Sequence, residues 1–100
     1  MSQKVYRQGD LCFIPVSDIP KQAKSAQTRV IRTGENGGIH ALEEKSTAVM
    51  YEMGGVRYIL SEDGVGIVHG EHARVDLPAG KYEVRVQREL GQEGVRDVID

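Results

Sequence analysis

Residues 77–88 read Leu-Pro-Ala-Gly-Lys-Tyr-Glu-Val-Arg-Val-Gln-Arg, and this stretch decides the fold. Tyr82, Val84 and Val86 alternate with charged or polar residues, a pattern typical of a β-strand with one buried face and one wet face. The preceding segment Leu77–Gly80 contains a proline and a glycine, which favour a chain reversal. The stretch therefore predicts a turn followed by a half-buried strand.

The rest of the chain carries shorter runs of the same kind, separated by glycine-rich breaks. The predicted strands cover residues 11–16, 28–32, 39–42, 47–52, 57–60, 66–69 and 74–77. Residues 50–60 predict a hairpin, because two β-prone segments flank the pair Gly54-Gly55. Short strands at intervals of roughly 8–12 residues indicate a β-sandwich or a small barrel.

The sequence thus predicts an all-β fold, a single domain over residues 1–100 built as a small barrel or sandwich of short antiparallel strands. Residues 18–27 are expected to form at most one helical turn, or equally a plain loop, because Asp18 suits a helix cap but no apolar stripe follows it. Residues 91–100 are expected to form either a loose tail or an edge strand. The predicted core consists of Leu11, Phe13, Val49, Ile59, Val68, Leu77, Tyr82, Val84 and Val86.

Composition excludes several classes of protein. The 100 residues carry a formal net charge of −2, so there is no overall electrostatic attraction to nucleic acid or anionic lipid. No apolar run approaches the roughly 18 residues that a membrane span needs, and the N-terminus lacks the apolar segment of a signal peptide. Cys12 is the single cysteine and has no internal disulfide partner, so we expect a reducing, cytoplasmic location.

Three patches of the sequence carry a family resemblance. They are Tyr6–Leu11 with Ile14–Val16, then His69–His72, then Leu77–Val84 with Gln87–Glu89. Together they resemble a family of uncharacterised short all-β hypothetical proteins from bacterial and mobile-element genomes, and the resemblance spans nearly the whole chain. In that family a Gly-His-x-His segment precedes the central hairpin, where this chain has Gly37-Gly38-Ile39-His40 and keeps only the second histidine. The resemblance implies an all-β fold and draws attention to the histidines.

A weaker likeness connects the chain to small cupins. It rests on the spacings His40-x3-Glu44 and Pro78-x-Gly80. The cupin metal pattern needs a second histidine beside His40 and another shortly after Gly80, and this sequence has neither. A standard cupin metal site is therefore not predicted.

The candidate metal ligands are the only three histidines of the chain: His40, His69 and His72. Residues three apart on a strand point to opposite faces, so His69 and His72 can share a side only if the chain turns or bulges at Gly70. With His40 on a neighbouring strand, three neutral imidazoles can face a divalent metal ion such as Zn²⁺, with Glu44 or Glu71 as a carboxylate partner. The competing interpretations are partly exposed histidines bonded to the backbone, and a pH-responsive or catalytic cluster.

Other residues that could carry chemistry have simpler explanations. Cys12 lies in an apolar run, which favours a buried core thiol over a nucleophile. The glycines of residues 34–38 are more typical of a flexible β-connection than of an anion cradle. A nucleic-acid surface would need cations and stacking aromatics on one face. The candidates for it are Arg7, Arg29, Arg32, Arg57, Arg85 and Arg88 with Tyr51, Tyr58 and Tyr82.

Three classes of function remain open. We predict first a non-enzymatic binding or assembly module that acts through β surfaces and forms a homo-oligomer, most simply a dimer, because a small β domain has edges to cover. An unknown protein partner is also compatible with this class. The alternatives are a metal-binding, cupin-like protein that uses the three histidines, and a nucleic-acid-binding β-barrel.

Overall fold

The computed structural model describes residues 4–33 and 38–86. Those residues form ten strands, connected without any helix. The strands are β1 Tyr6–Gln8, β2 Leu11–Pro15, β3 Lys24–Ser25, β4 Val30–Thr33, β5 Ile39–Leu42, β6 Val49–Met53, β7 Val56–Ser61, β8 Val65–Val68, β9 Val75–Leu77 and β10 Gly80–Val86. No helix of the described residues is long and apolar enough to cross a membrane.

The strands form two antiparallel sheets. The large sheet has six strands in the order β1-β2-β10-β7-β6-β3, and the small sheet has four in the order β4-β5-β8-β9. The inward faces of both sheets contribute to one apolar core. Its buried residues are Leu11, Phe13, Met50, Ile59, Tyr82, Val84 and Val86 from the large sheet and Ile31, Leu42, Val65, Ile67 and Leu77 from the small sheet. The fold is a sandwich, and the sheets do not close into the barrel that the sequence left open as an alternative.

The strongest sequence signals are confirmed. Strand β10 lies in the middle of the large sheet between β2 and β7, with Tyr82, Val84 and Val86 all buried. The predicted hairpin is β6–β7, in which Met53 pairs with Val56. Its two turn residues have φ angles of +59° and +81°, a left-handed conformation that glycine adopts without the steric cost of a Cβ.

Two core predictions are wrong. Val49 and Val68 point outward and are 38% and 37% exposed. Their neighbours Met50 and Ile67 are buried instead. In both strands apolar residues stand on both faces, so alternation does not reveal which face is inside.

The two shortest strands depart from expectation, since β1 and β3 were not predicted. Residues 18–27, for which at most one helical turn was expected, contain no helix, which agrees with that expectation, and they include β3. The predicted tail or edge strand at residues 91–100 lies outside the described residues.

Replacing Val84 by alanine will lower the free energy of unfolding by about 1–3 kcal/mol, because the change removes buried methyl groups and leaves a cavity. Val84 faces Phe13 across the pair β10–β2 and is only 9% exposed. Urea unfolding followed by circular dichroism measures the change. Val49→Ala is the matched control, since Val49 points outward, and it should cost much less. Equal costs for the two variants would contradict the face that we assign to β10.

Candidate functional site

The pairing of two central strands brings the first two histidines together. In the small sheet β5 pairs with β8 so that Ala41 lies opposite Val68 and Leu42 opposite Ile67. Continuing this antiparallel register by one residue places His69 opposite His40, and opposite residues in a ladder share a face. The ring centroids of His40 and His69 are 4.4 Å apart.

A tight turn adds the third histidine. Directly after β8, the backbone N–H groups of Glu71 and His72 donate to Nδ1 of His69, at 2.9 and 3.3 Å. The chain reverses around Gly70, as the sequence required, and the His72 ring stands 4.6 Å from the His69 ring and 6.2 Å from the His40 ring. The three imidazoles therefore converge, which the spacing alone did not determine.

Gln8 on β1 holds this arrangement in place. Its Nε2 donates to the carbonyl oxygens of Ile67 and Ala73, both at 2.9 Å. A single amide is therefore hydrogen-bonded to the backbone before and after the turn at residues 69–72. Its Oε1 lies 2.9 Å from Nδ1 of His40. Because that oxygen can only accept, Nδ1 of His40 carries the proton and Nε2 keeps a free lone pair. No sequence pattern had pointed to Gln8.

The three histidines differ in their exposure to solvent. His40 is 2% exposed, His69 is half-buried and His72 is exposed. Burial holds the pKa of His40 below its ordinary value, and the nearby His69 lowers it further, while Asp10 acts in the opposite direction. His40 is therefore a neutral imidazole near pH 7.

Two glycines make room for the outer rings. A Cβ atom added to Gly38 would lie 2.5 Å from Nε2 of His69, and one added to Gly9 would lie 2.8 Å from Nε2 of His72. Both distances are too short for any side chain unless the ring moves. The absence of a side chain at each of these glycines thus leaves the space that the rings of His69 and His72 occupy.

The carboxylates proposed from the sequence do not complete the cluster. Glu44 is exposed and forms an ion pair with Arg29 at 3.5 Å, and Glu71 meets His69 through its backbone N–H. In the described residues, as they are arranged, no group of three or more His, Cys, Asp or Glu side chains could hold a metal ion. The imidazole rings converge, but their ligating atoms are not gathered around one point.

A second surface, which we call the apolar row, lies on the outer face of the small sheet. The register aligns Val30, Ala41 and Val68 across three adjacent strands, and Ile39 lies on the same face as Ala41. Val30 and Val68 are each 37% exposed and Ile39 is 46% exposed. Three of the five large apolar side chains exposed among the described residues therefore share one face.

Charged side chains of both signs border the apolar row. Arg74 pairs with Glu43 through two hydrogen bonds of 2.9 Å and with Asp76 at 2.7 Å. The exposed pair Arg29–Glu44 supplies a second mixed-charge group. The guanidinium of Arg74 holds the pKa of Glu43 below its usual range, so this rim stays ionised near neutral pH.

The remaining candidates are dispersed or buried. Tyr82 faces the core and its hydroxyl donates to the carbonyl oxygen of Pro78, so it is not a stacking surface. Arg29 and Arg32 lie in or beside the small sheet, whereas Arg7, Arg57 and Arg85 belong to the large one; Arg88 lies outside the described residues. Cys12 is fully buried, and burial raises the pKa of its thiol. Of the anion-cradle glycines, only Gly38 is described, and it packs against His69.

Comparisons with known proteins give one family. Residues 7–87 match the family described as Domain of unknown function (DUF8820). No curated protein and no solved structure matches the chain. The family match covers the strands of both sheets from β2 onward, together with Gln8 and all three histidines. Since it spans well over half of the sequence, the chain belongs to the DUF8820 family.

Proposed function

We propose that this domain is a non-enzymatic assembly module that forms a homodimer through the apolar row of the small sheet. The observation that carries the proposal is the alignment of Val30, Ala41 and Val68 across three strands, with Ile39 beside them. An exposed apolar strip that is bordered by polar groups is typical of a protein–protein contact.

A second copy of the chain suits this surface because its rim carries both signs of charge. In a two-fold dimer the same patch meets itself, so a rim of one sign would face an equal charge. Here Arg74 stands beside Glu43 and Asp76, and each arginine of one copy can face carboxylates of the other. The rim therefore permits self-pairing, which a purely acidic or purely basic border would oppose.

The size of the surface limits the affinity. Strands β4, β5, β8 and β9 have only three or four residues each, so the sheet face is small compared with a standard interface. We expect a dissociation constant in the range of micromolar to about 100 µM rather than nanomolar.

Val68→Asp will convert the dimer to a monomer, because it places a charge within the apolar row, directly beside Ala41. Light scattering at about 100 µM protein measures the mass of both forms. Val49→Asp is the matched control: Val49 is also a strand valine with nearly the same exposure, but it lies on the outer face of the other sheet. The control should remain a dimer.

Three results would overturn the proposal. The parent protein could have the mass of a monomer at that concentration. Val68→Asp could leave the dimer intact. Finally, Val49→Asp could dissociate the dimer while Val68→Asp does not, which would place the contact on the large sheet.

The proposal also includes the cellular compartment and the origin of the domain. A reducing, cytoplasmic compartment is supported by the single cysteine, which is buried and unpaired. A bacterial or mobile-element origin is supported by the sequence resemblance alone.

A further inference from the structure

We propose that the three imidazoles of His40, His69 and His72 bind one divalent transition metal ion of the Zn²⁺ type, with Gln8 as the residue that positions His40. This inference is independent of the dimer, because the apolar row is on the outer face of the small sheet and His40 is on its inward side.

The spacing of the rings suits a shared ion. Zinc binds imidazole nitrogen at about 2.0–2.1 Å in a tetrahedral arrangement, which places the centres of two ligating rings roughly 5 Å apart. The observed separations of 4.4, 4.6 and 6.2 Å lie on both sides of that value. The strands can stay in place, and a rearrangement of the turn at residues 69–72 brings the ligating nitrogens around one ion.

His40 is already oriented as a ligand. Metal-bound histidines commonly donate one ring N–H to a neighbouring acceptor, which leaves the other nitrogen free for the ion. The bond from Nδ1 of His40 to Oε1 of Gln8 has this arrangement. Gln8 is fixed in turn by its two bonds to backbone carbonyls, so the orientation of His40 is set before any ion arrives.

His69 must change its hydrogen bonds when the ion binds. Its Nδ1 now accepts two backbone N–H groups, so the neutral ring carries its proton on Nε2. Ligation through Nε2 moves that proton to Nδ1, where it opposes the two donors, and ligation through Nδ1 displaces them. In either case the turn at residues 69–72 loses both bonds. The ligating atoms of the metal-free cluster are therefore not gathered around one point.

The turn that must move is also the part of the site open to solvent. Gly70, Glu71 and His72 are all exposed, so an ion reaches the cluster without opening the core. Imidazole nitrogens favour Zn²⁺ and its neighbours over Mg²⁺ or Ca²⁺, which prefer oxygen ligands. Three protein ligands leave the fourth position of the ion for water.

The test is calorimetric titration of untagged protein with Zn²⁺ at neutral pH. We expect one ion per chain. His72→Ala, a change at an exposed position that leaves the fold intact, should weaken binding about 100-fold or more, and Gln8→Ala about 10–100-fold. Glu44→Ala is the control: it removes a carboxylate that is paired with Arg29 outside the cluster, and the affinity should not change.

A second readout follows the turn itself. In ¹⁵N–¹H spectra the amide signals of Glu71 and His72 should shift on Zn²⁺ addition, because both amides lose Nδ1 of His69 as their acceptor. Absence of binding overturns the inference. So does binding that survives His72→Ala unchanged, that is lost in Glu44→Ala, or that leaves these two amide signals in place.

Discussion

Replacing Phe13 by alanine will lower the free energy of unfolding by about 3–5 kcal/mol, the usual cost of removing a buried aromatic ring. Phe13 is fully buried and lies opposite Tyr6 on one side and Val84 on the other, so the cavity opens in the core against strands β1, β2 and β10. A domain of this length has a total stability of about 5–15 kcal/mol, and the change removes a large part of it. Urea unfolding, followed by far-ultraviolet circular dichroism, gives the difference.

The control for Phe13→Ala is the next residue on the same strand. Ile14 lies opposite Glu83 on the outward face and is only half-buried. Ile14→Ala should therefore cost less than half as much as Phe13→Ala. A larger cost for Ile14 would mean that the outward face of the large sheet is the better packed one and would contradict the described core.

Replacing Gln8 by leucine will cost on the order of 2–4 kcal/mol, although the new side chain has a similar size and is more apolar. The change leaves Nδ1–H of His40 without its acceptor in a buried place, and it leaves the carbonyl oxygens of Ile67 and Ala73 without their shared donor. A buried polar group without a partner costs more than the hydrogen bond itself contributes. Urea unfolding measures the total loss, and hydrogen exchange should be faster at the amides of Glu71 and His72.

Two further variants separate this explanation from a general effect of the substitution. Gln27→Leu makes the same chemical change at an exposed position and should leave stability nearly unchanged. The double variant Gln8→Leu/His40→Leu should cost less than the sum of the single changes, because it removes both members of the pair. Additive costs would show that Gln8 does not stabilise the domain through His40.

The central strands were predictable because their sequences alternate. In β10 buried residues alternate with half-buried ones, so the face of the strand follows from the pattern. The alternation marks the strand from Tyr82, whereas the strand begins at Gly80. The hairpin was predictable for another reason, since Gly54-Gly55 suits a turn with two positive φ angles. Strands β1 and β3 have only three and two residues, too few for a period to be recognised.

The histidine cluster was only half predictable. The sequence showed that His69 and His72 needed a turn between them, and Gly70 marked the place. It did not show that β5 pairs with β8, and the proximity of His40 depends on this pairing. Gln8 was missed because a buried glutamine resembles a surface one in sequence. Its role depends on partners 32, 59 and 65 residues away along the chain.

The single thiol of this protein is a reporter of how often the outward face of β2 becomes uncovered. Cys12 sits on β2 between Arg7 of β1 and Arg85 of β10, is fully buried, and has a pKa that burial raises. Cys12 shares the outward face of the large sheet with Ile14 and with its register partners Arg7 and Arg85, so a thiol reagent reaches its sulfur when the side chains that cover this face move aside. The rate of labelling thus measures how often that covered face opens in the absence of denaturant, without a dye or an engineered probe.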